Sequence, residues 1–176
     1  RIQSVEDAMV ALRAGADKIA VNSAALNDPA LIDRLTASIG AQSVIGMIQA
    51  KKRTGGGWEP MWLSGRERSH RDLRDWAQEL QARGAGEIVV LSVDQDGAGL
   101  GPDIDAVRTV CEAVTIPVIA GSGISSSEDA ARLIFDAGAN AVCVSQVLHF
   151  GKLTIGDIKN ELIKRGAHIR PVEAAA

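Results

Sequence analysis

Short apolar runs rich in β-branched residues alternate with amphipathic segments along the whole chain, and this alternation constrains the fold more than any other feature. Each run has the length and composition of a buried strand. The segments between the runs have helical spacing, and several begin with a Ser or Asp cap. Such alternation predicts parallel strands joined by right-handed crossover helices, in a doubly wound sheet or a (β/α) barrel. The predicted strands are Lys18–Asn22, Ser43–Ile48, Glu87–Val93, Pro117–Ala120 and Ala141–Val147, and the predicted helices are Val5–Ala14, Pro29–Ser38, Arg71–Arg83, Asp103–Val114 and Ser127–Ala137.

A segment near the start of the chain recurs near its end. Ile2–Ala8 aligns with Ile124–Ala130 at an offset of 122 residues, and the two share Ile, Ser, Glu, Asp and Ala. After a slip of one residue, the match continues through an Ala-Gly-Ala turn and into the next strand. A period of this length, containing four predicted strands, indicates a duplicated half-barrel and therefore eight strands in all. Generic cap and turn chemistry would give the same short matches, and this alternative stays open.

The length fits one domain but falls short of a complete barrel. The chain has 176 residues, whereas eight-stranded barrels usually have about 250. We expect one domain over residues 1–176, the C-terminal part of an incomplete (β/α)8 TIM barrel, in which residues 124–176 repeat the pattern of residues 2–25. Five strands cannot close such a barrel. Since the chain begins with Arg1 rather than Met, we expect the three N-terminal strands to lie upstream or on another chain, with self-association through exposed edges as a further possibility.

Lys51–His70 has no clear hydrophobic period. It contains three consecutive glycines and two of the three tryptophans. We therefore predict a long loop here. The loop is equally well explained as a functional segment that covers a site and as a disordered surface insertion.

Charge and composition exclude several classes of function. The formal net charge is −3, so no global basic field would attract nucleic acid or an anionic membrane. Two cysteines, Cys111 and Cys143, are too few for a disulfide scaffold, and no metal-ligand spacing surrounds them. No apolar run approaches 18 residues. We expect a cytoplasmic protein without a metal or cofactor.

Small and hydroxyl-bearing residues follow the predicted strands. Reactive groups of a parallel barrel lie at the carboxyl ends of its strands, and such residues before a helix present backbone N–H groups to an anion. These residues therefore predict two phosphate sites, half a barrel apart. The alternative explanation is that the glycines only form ordinary turns. A ligand with a phosphate at each end would fit this pair. Asn22 and Ser23 form one site, and Gly121, Ser122, Gly123, Ser145 and Gln146 form the other.

Asp94 and Asp96 stand together at the end of the third predicted strand. Two carboxylates there are able to bind a metal, to accept hydrogen bonds from ligand hydroxyls or to transfer protons. A structural Asp-x-Asp-Gly turn explains them equally well.

Several of these motifs resemble, in order, the cyclase subunits of imidazole glycerol phosphate synthase. They are Ser4–Ala8, Ala14–Ala25, Gly84–Ile88, Asp94–Gly97, Ile116–Ala120 and His149–Gly151. The resemblance implies an eight-stranded barrel made of two half-barrels, and a lyase of histidine biosynthesis. It also implies a substrate with a phosphate at both ends, and ammonia delivered along the barrel axis by a glutaminase partner in a glutamine amidotransferase complex.

The resemblance also implies roles for individual residues. Asn22 and Ser23 match one phosphate site, and Gly97, Gly123, Ser145 and Gln146 match the other. Asp94, Asp96 and Ser64 match substrate-binding positions. Lys18 and Glu87 match charged residues at the ammonia entrance.

Two departures from the family pattern bear on activity. Gln49 stands where the family has a catalytic aspartate, and an amide has no titratable proton near neutral pH, so it cannot act as a general base. Gly121-Ser122-Gly123 replaces the usual Ser-Gly-Gly. These departures leave two alternatives open: a paralogue that pairs with a glutaminase to aminate a surface sugar, and a non-catalytic phosphate-binding barrel fragment.

Overall fold

Five parallel strands form the centre of the sheet, as the alternating pattern predicts. The computed structural model describes residues 1–170. Within them the parallel strands occur in the order β1, β2, β5, β6, β7, and helices lie between them along the chain. The α/β fold with a parallel sheet is therefore confirmed, and the sheet is open rather than closed into a barrel. The parallel strands are β1 (Ile19–Val21), β2 (Val44–Lys52), β5 (Glu87–Ser92), β6 (Val118–Gly121) and β7 (Ala141–Val142).

The helices are close to the predicted ones, with two short additions (Ser23–Asn27 and Gln146–His149) and one further long helix (Ile155–Lys164). Neighbouring long helices pack on one another and on the strands that they connect. None of those within residues 1–170 has the length and apolar character needed to cross a membrane. Their bounds are α1 (Val5–Arg13), α2 (Ser23–Asn27), α3 (Ala30–Ile39), α4 (Leu73–Ala82), α5 (Ile104–Cys111), α6 (Ser127–Phe135), α7 (Gln146–His149) and α8 (Ile155–Lys164).

The prediction of a long loop over Lys51–His70 is wrong. Strand β2 continues to Lys52, and β3 (Trp58–Trp62) and β4 (Glu67–Arg68) follow it as an antiparallel extension of the sheet. Pro60 and the tryptophans interrupt any period-two pattern, which is why the sequence hides these strands. Glu59 is only 2% exposed and pairs with the Arg68 guanidinium across the hairpin.

Strands β1 and β3 share one edge of β2. Val21 of β1 pairs with Gly46 in the first half of β2, and Met61 of β3 pairs with Gln49 in the second half. Strand β5 pairs with the opposite edge of β2 from Ile45 to Ala50. The chain leaving β1 therefore meets the hairpin beside Gln49.

The core lies between the sheet and the helices. Along β2 every second residue is buried on the helix side, including Val44, Ile48 and Ala50. At Gly46 an added Cβ would lie 2.8 Å from Leu80 Cδ1, so the absence of a side chain there lets Leu80 of α4 pack closely against β2. Met47 and Gln49 lie on the other, half-buried face.

The last predicted strand is shorter than expected. Only Ala141 and Val142 pair with β6, and Val147 lies in α7 rather than in a strand. Within the described residues β7 has no neighbour on its other side, so no second ladder extends it.

The proposed repeat has matching caps at both of its copies. Ser4 accepts a hydrogen bond from the Asp7 N–H (3.2 Å), and Ser126 accepts one from the Asp129 N–H (3.1 Å). In both copies the residue before the cap donates its N–H back to the same aspartate. The half-barrel duplication and the single-domain boundaries stay predictions, and residues 171–176 of the second copy lie outside the described residues.

Candidate functional site

Two cavities open at the carboxyl-terminal edge of the parallel strands. The first cavity follows β1 and the middle of β2 and has a volume of about 680 Å³. The second follows β5, β6 and β7 and has a volume of about 230 Å³. Each gathers one of the two predicted sets of phosphate-binding residues. Asn22, Ser23, Gln49, Trp62, Leu63 and Ser64 line the first cavity, and Asp96, Gly97, Ser122, Gly123, Ser145 and Gln146 line the second.

Asn22 connects three elements at the base of the first cavity. It directly follows β1, at the point where β1 ends and β3 begins along the edge of β2. Its Nδ2 donates to Gln49 Oε1 (2.9 Å) and to the Met61 carbonyl (3.0 Å). Asn22 Oδ1 is buried without a hydrogen-bond partner among the described residues. Asn22, predicted to bind phosphate, and Gln49, predicted to match the catalytic aspartate, are therefore in direct contact.

The tip of the hairpin covers Ser23. The Leu63 N–H donates to Ser23 Oγ (2.9 Å), which leaves the hydroxyl proton of Ser23 free to point elsewhere. Leu63 and Ser64 have φ values of 48° and 62°, a left-handed conformation that non-glycine residues adopt at a cost. This turn brings Ser64 to the cavity, as its predicted substrate-binding role requires.

The second cavity is held together by contacts between three loops. Gln146 Nε2 donates to the Gly97 carbonyl (3.2 Å), and the Gly101 N–H donates to the Gly123 carbonyl (3.1 Å). A Cβ at Gly123 would lie 2.4 Å from the Gly101 carbonyl oxygen, so the close approach requires glycine. Ser145 precedes α7 without capping it through its side chain, and its hydroxyl is not used there.

The Gly121-Ser122-Gly123 departure has a physical explanation. A Cβ at Gly121 would lie 2.3 Å from Cys143 Sγ and 3.0 Å from Leu91 Cδ2, so the thiol fills the space that a serine would need. The only hydroxyl of the tripeptide is then on Ser122, which has a φ of 72° and lines the second cavity. Gly121 itself lies behind that cavity.

Asp94 and Asp96 do not act as a pair. Asp94 Oδ1 accepts from Lys51 Nζ and its Oδ2 from the Lys52 N–H, both at 2.9 Å. Burial raises the pKa of Asp94, but the hydrogen bonds and charges of Lys51 and Lys52 outweigh it and hold that pKa below its usual value. Asp94 lines a third, separate cavity with Lys52 and Arg132, whereas Asp96 lines the second cavity. Only Asp96 shares a cavity with the predicted phosphate ligands.

Lys18 and Glu87 lie at the opposite edge of the sheet. Lys18 precedes β1 and Glu87 begins β5, and their side chains form an ion pair at the amino-terminal ends of the strands. The two residues predicted to match the ammonia entrance are thus together, away from both cavities.

Sequence reasoning missed the contribution of the hairpin to the first cavity. Trp62, Leu63 and the Met61 carbonyl were assigned to a loop without period, although two tryptophans so close together signal a packed segment. Within residues 1–170 no three His, Cys, Asp or Glu side chains come close enough to hold a metal ion.

Comparison with known proteins gives a consistent result. The chain matches the model of the histidine biosynthesis protein family over residues 2–154. It is 43% identical over 171 residues to the imidazole glycerol phosphate synthase subunit HisF of Hyphomonas neptunium, covering 97% of this chain and 68% of that protein. The same subunit of a Nostoc species is 40% identical over 172 residues (96% and 66%), and that of Myxococcus xanthus 43% over 169 residues (96% and 66%). The chain therefore spans about two thirds of the length of these relatives.

Proposed function

This chain belongs to the histidine biosynthesis protein family, and from that premise we propose that it acts as the cyclase subunit of imidazole glycerol phosphate synthase. In this role it is a cytoplasmic lyase. It takes ammonia from a glutaminase subunit and converts a ribulosyl aminoimidazole carboxamide nucleotide with two phosphates into imidazole glycerol phosphate and an aminoimidazole carboxamide ribotide.

The two cavities at one edge of the sheet carry this proposal. Each presents unused hydroxyl protons or backbone N–H groups, which suit a phosphate. In this assignment Ser23 and Ser64 bind one end of the substrate beside Asn22, whose two amide protons are donated to Gln49 and the Met61 carbonyl. The other end is bound by Gly97, Ser122, Gly123, Ser145 and Gln146. Asp96 accepts hydrogen bonds from substrate hydroxyls, and Asp94 fixes Lys51 beside Gln49. Gly121 acts indirectly by making room for Cys143.

The Lys18–Glu87 pair supports the partner assignment. An ion pair at the amino-terminal edge lies opposite the cavities, where a glutaminase would deliver ammonia without blocking substrate entry. We assign the glutaminase interface to this edge.

Gln49 favours a second candidate function. At its position an amide replaces the carboxylate of the family pattern, so the site lacks a group that is able to take a proton there. The chain would then bind the two-phosphate ligand without converting it.

Turnover distinguishes the two candidates. Purified protein is supplied with the two-phosphate substrate and an ammonium salt, and imidazole glycerol phosphate is measured. For a cyclase limited at this position, Gln49→Asp raises the rate by about 10²- to 10⁴-fold, the usual contribution of a general base. Intact substrate binding with no turnover in either protein supports the binding-only function and contradicts the cyclase.

A further inference from the structure

The hydrogen bonds around Asn22 determine which end of the Gln49 amide reaches the first cavity. The Met61 carbonyl oxygen is able only to accept, so the Asn22 atom 3.0 Å from it must be the NH₂ group. That NH₂ group also lies 2.9 Å from Gln49. An NH₂ group donates, and the Gln49 atom that receives its bond must therefore be the oxygen.

This leaves the Gln49 Nε2 group as the free end. Gln49 lines the first cavity, and among residues 1–170 its Nε2 makes no hydrogen bond to the protein. The backbone of Gln49 is held on both sides, by β3 through Met61 and by β5 through Leu91. The donor is thus placed on a rigid strand rather than on a loop.

From this arrangement we infer that Gln49 is a hydrogen-bond donor to an acceptor oxygen of the bound ligand, and so determines which ligands the first cavity accepts. A carboxylate at the same position would accept hydrogen bonds and favour ligand groups that donate. The amide reverses this preference and selects phosphoryl or carbonyl oxygens.

The charges near the cavity agree with such a ligand. Of the residues that line it, only Asp28 is acidic, and Asp28 forms an ion pair with Arg34 (2.6 Å). Arg1 lies on the same lining, and Ser23 keeps a hydroxyl proton to donate because its oxygen accepts from Leu63. An anionic, acceptor-rich group therefore meets donors at several points. The inference rests on the proposed function only where it identifies the whole ligand as the two-phosphate substrate.

Binding measurements on isosteric variants test the inference. Gln49→Glu keeps the bond from Asn22, because a carboxylate oxygen accepts it, but removes the donor. Gln49→Met removes the donor without adding charge. Gln78→Glu makes the same change of charge on the exposed face of α4 and serves as the control. Thermal unfolding by circular dichroism confirms that each variant is folded.

The probes are inorganic phosphate and imidazole glycerol phosphate, titrated by calorimetry at pH 8 and pH 5. At pH 8 we expect Gln49→Glu to bind about tenfold or more weakly than the wild type and Gln49→Met to lie between them, because a bond to a charged group is lost. At pH 5 the deficit of Gln49→Glu narrows, since a glutamic acid near an anion takes up a proton and donates again. Gln78→Glu matches the wild type.

A direct spectroscopic readout accompanies these titrations. The side-chain ¹⁵N–¹H signals of Gln49, assigned by their loss in Gln49→Met, shift and exchange more slowly with water when either probe saturates the protein. Gln49 signals that do not change on saturation overturn the inference. Binding of the probes by Gln49→Glu at pH 8 that is as tight as, or tighter than, binding by the wild type also overturns it, as does the failure of both probes to bind the wild type. Shifted signals without imidazole formation refute only the proposed cyclase activity.

Discussion

At position 121 three neighbouring atoms limit which residue fits. A Cβ there would lie 2.3 Å from Cys143 Sγ, and 3.0 Å from both the Cys143 carbonyl oxygen and Leu91 Cδ2. Gly121→Ser therefore overpacks the site, and we expect a loss of about 1–3 kcal/mol in the free energy of unfolding, measured by urea denaturation. The double variant with Cys143→Ala removes the nearest of these atoms and recovers part of that loss, because the Cys143 carbonyl oxygen and Leu91 Cδ2 remain. Equal losses in the single and double variants would show that the thiol is not the obstacle.

Asp129 makes the stability of the protein depend on pH. Burial raises the pKa of Asp129, but hydrogen bonds from Ser125 and Ser126 outweigh it and hold that pKa below its usual value. A lowered pKa in the folded state contributes stability above the unfolded value of about 3.9, and this contribution is lost as pH falls through the folded value.

We therefore expect Asp129→Asn to lower the free energy of unfolding at pH 7 by about 1 kcal/mol and to flatten its decline between about pH 5 and pH 3. Urea titrations across this range measure both effects. The exposed Asp17→Asn is the matched control. Parallel pH curves for the wild type and Asp129→Asn would contradict the assigned role of the carboxylate.

At the scale of elements, the β3–β4 hairpin depends on one ion pair. Glu59 is almost completely buried, while its partner Arg68 is 47% exposed. Arg68→Met leaves a buried carboxylate without its guanidinium, and we expect a loss of about 1–3 kcal/mol that is concentrated in the hairpin. Hydrogen exchange of the amides in β3 measures it. The double variant Arg68→Met with Glu59→Gln has no buried charge, and we expect it to regain part of the protection of the β3 amides from exchange. If exchange in Arg68→Met equals that of the wild type, the ion pair does not stabilise the hairpin.

The elements also show where sequence reasoning succeeds. The five parallel strands and the main helices follow from hydrophobic period and from caps such as Ser126, because both signals are local. The hairpin does not follow, because Trp58–Trp62 carries a proline and no alternation, and its pairing with β2 is a tertiary contact. For the same reason, the strand-end residues of both cavities could be predicted, whereas the hairpin residues of the first cavity and the Asn22–Gln49–Met61 contact could not.

At the scale of the whole molecule, the two ends of the parallel strands carry different groups of polar residues. The cavities lie at one end and the Lys18–Glu87 pair at the other. If ammonia enters beside this pair, Lys18→Met lowers turnover with glutamine and the glutaminase several-fold and leaves turnover with ammonium salt unchanged, because free ammonia needs no partner. Equal loss with both nitrogen sources would place Lys18 outside the entrance. Self-association through exposed strand edges stays a prediction.

The central claim is that one ligand with two phosphates spans both cavities. Calorimetric titration compares the two-phosphate substrate with its one-phosphate product, imidazole glycerol phosphate, on the wild type, Ser23→Ala and Ser145→Ala. Two linked sites predict that the wild type binds the substrate about 10²-fold or more tightly than the product, and that each substitution removes much of this advantage. Equal affinity for the two ligands, or an advantage that survives both substitutions, would contradict the account.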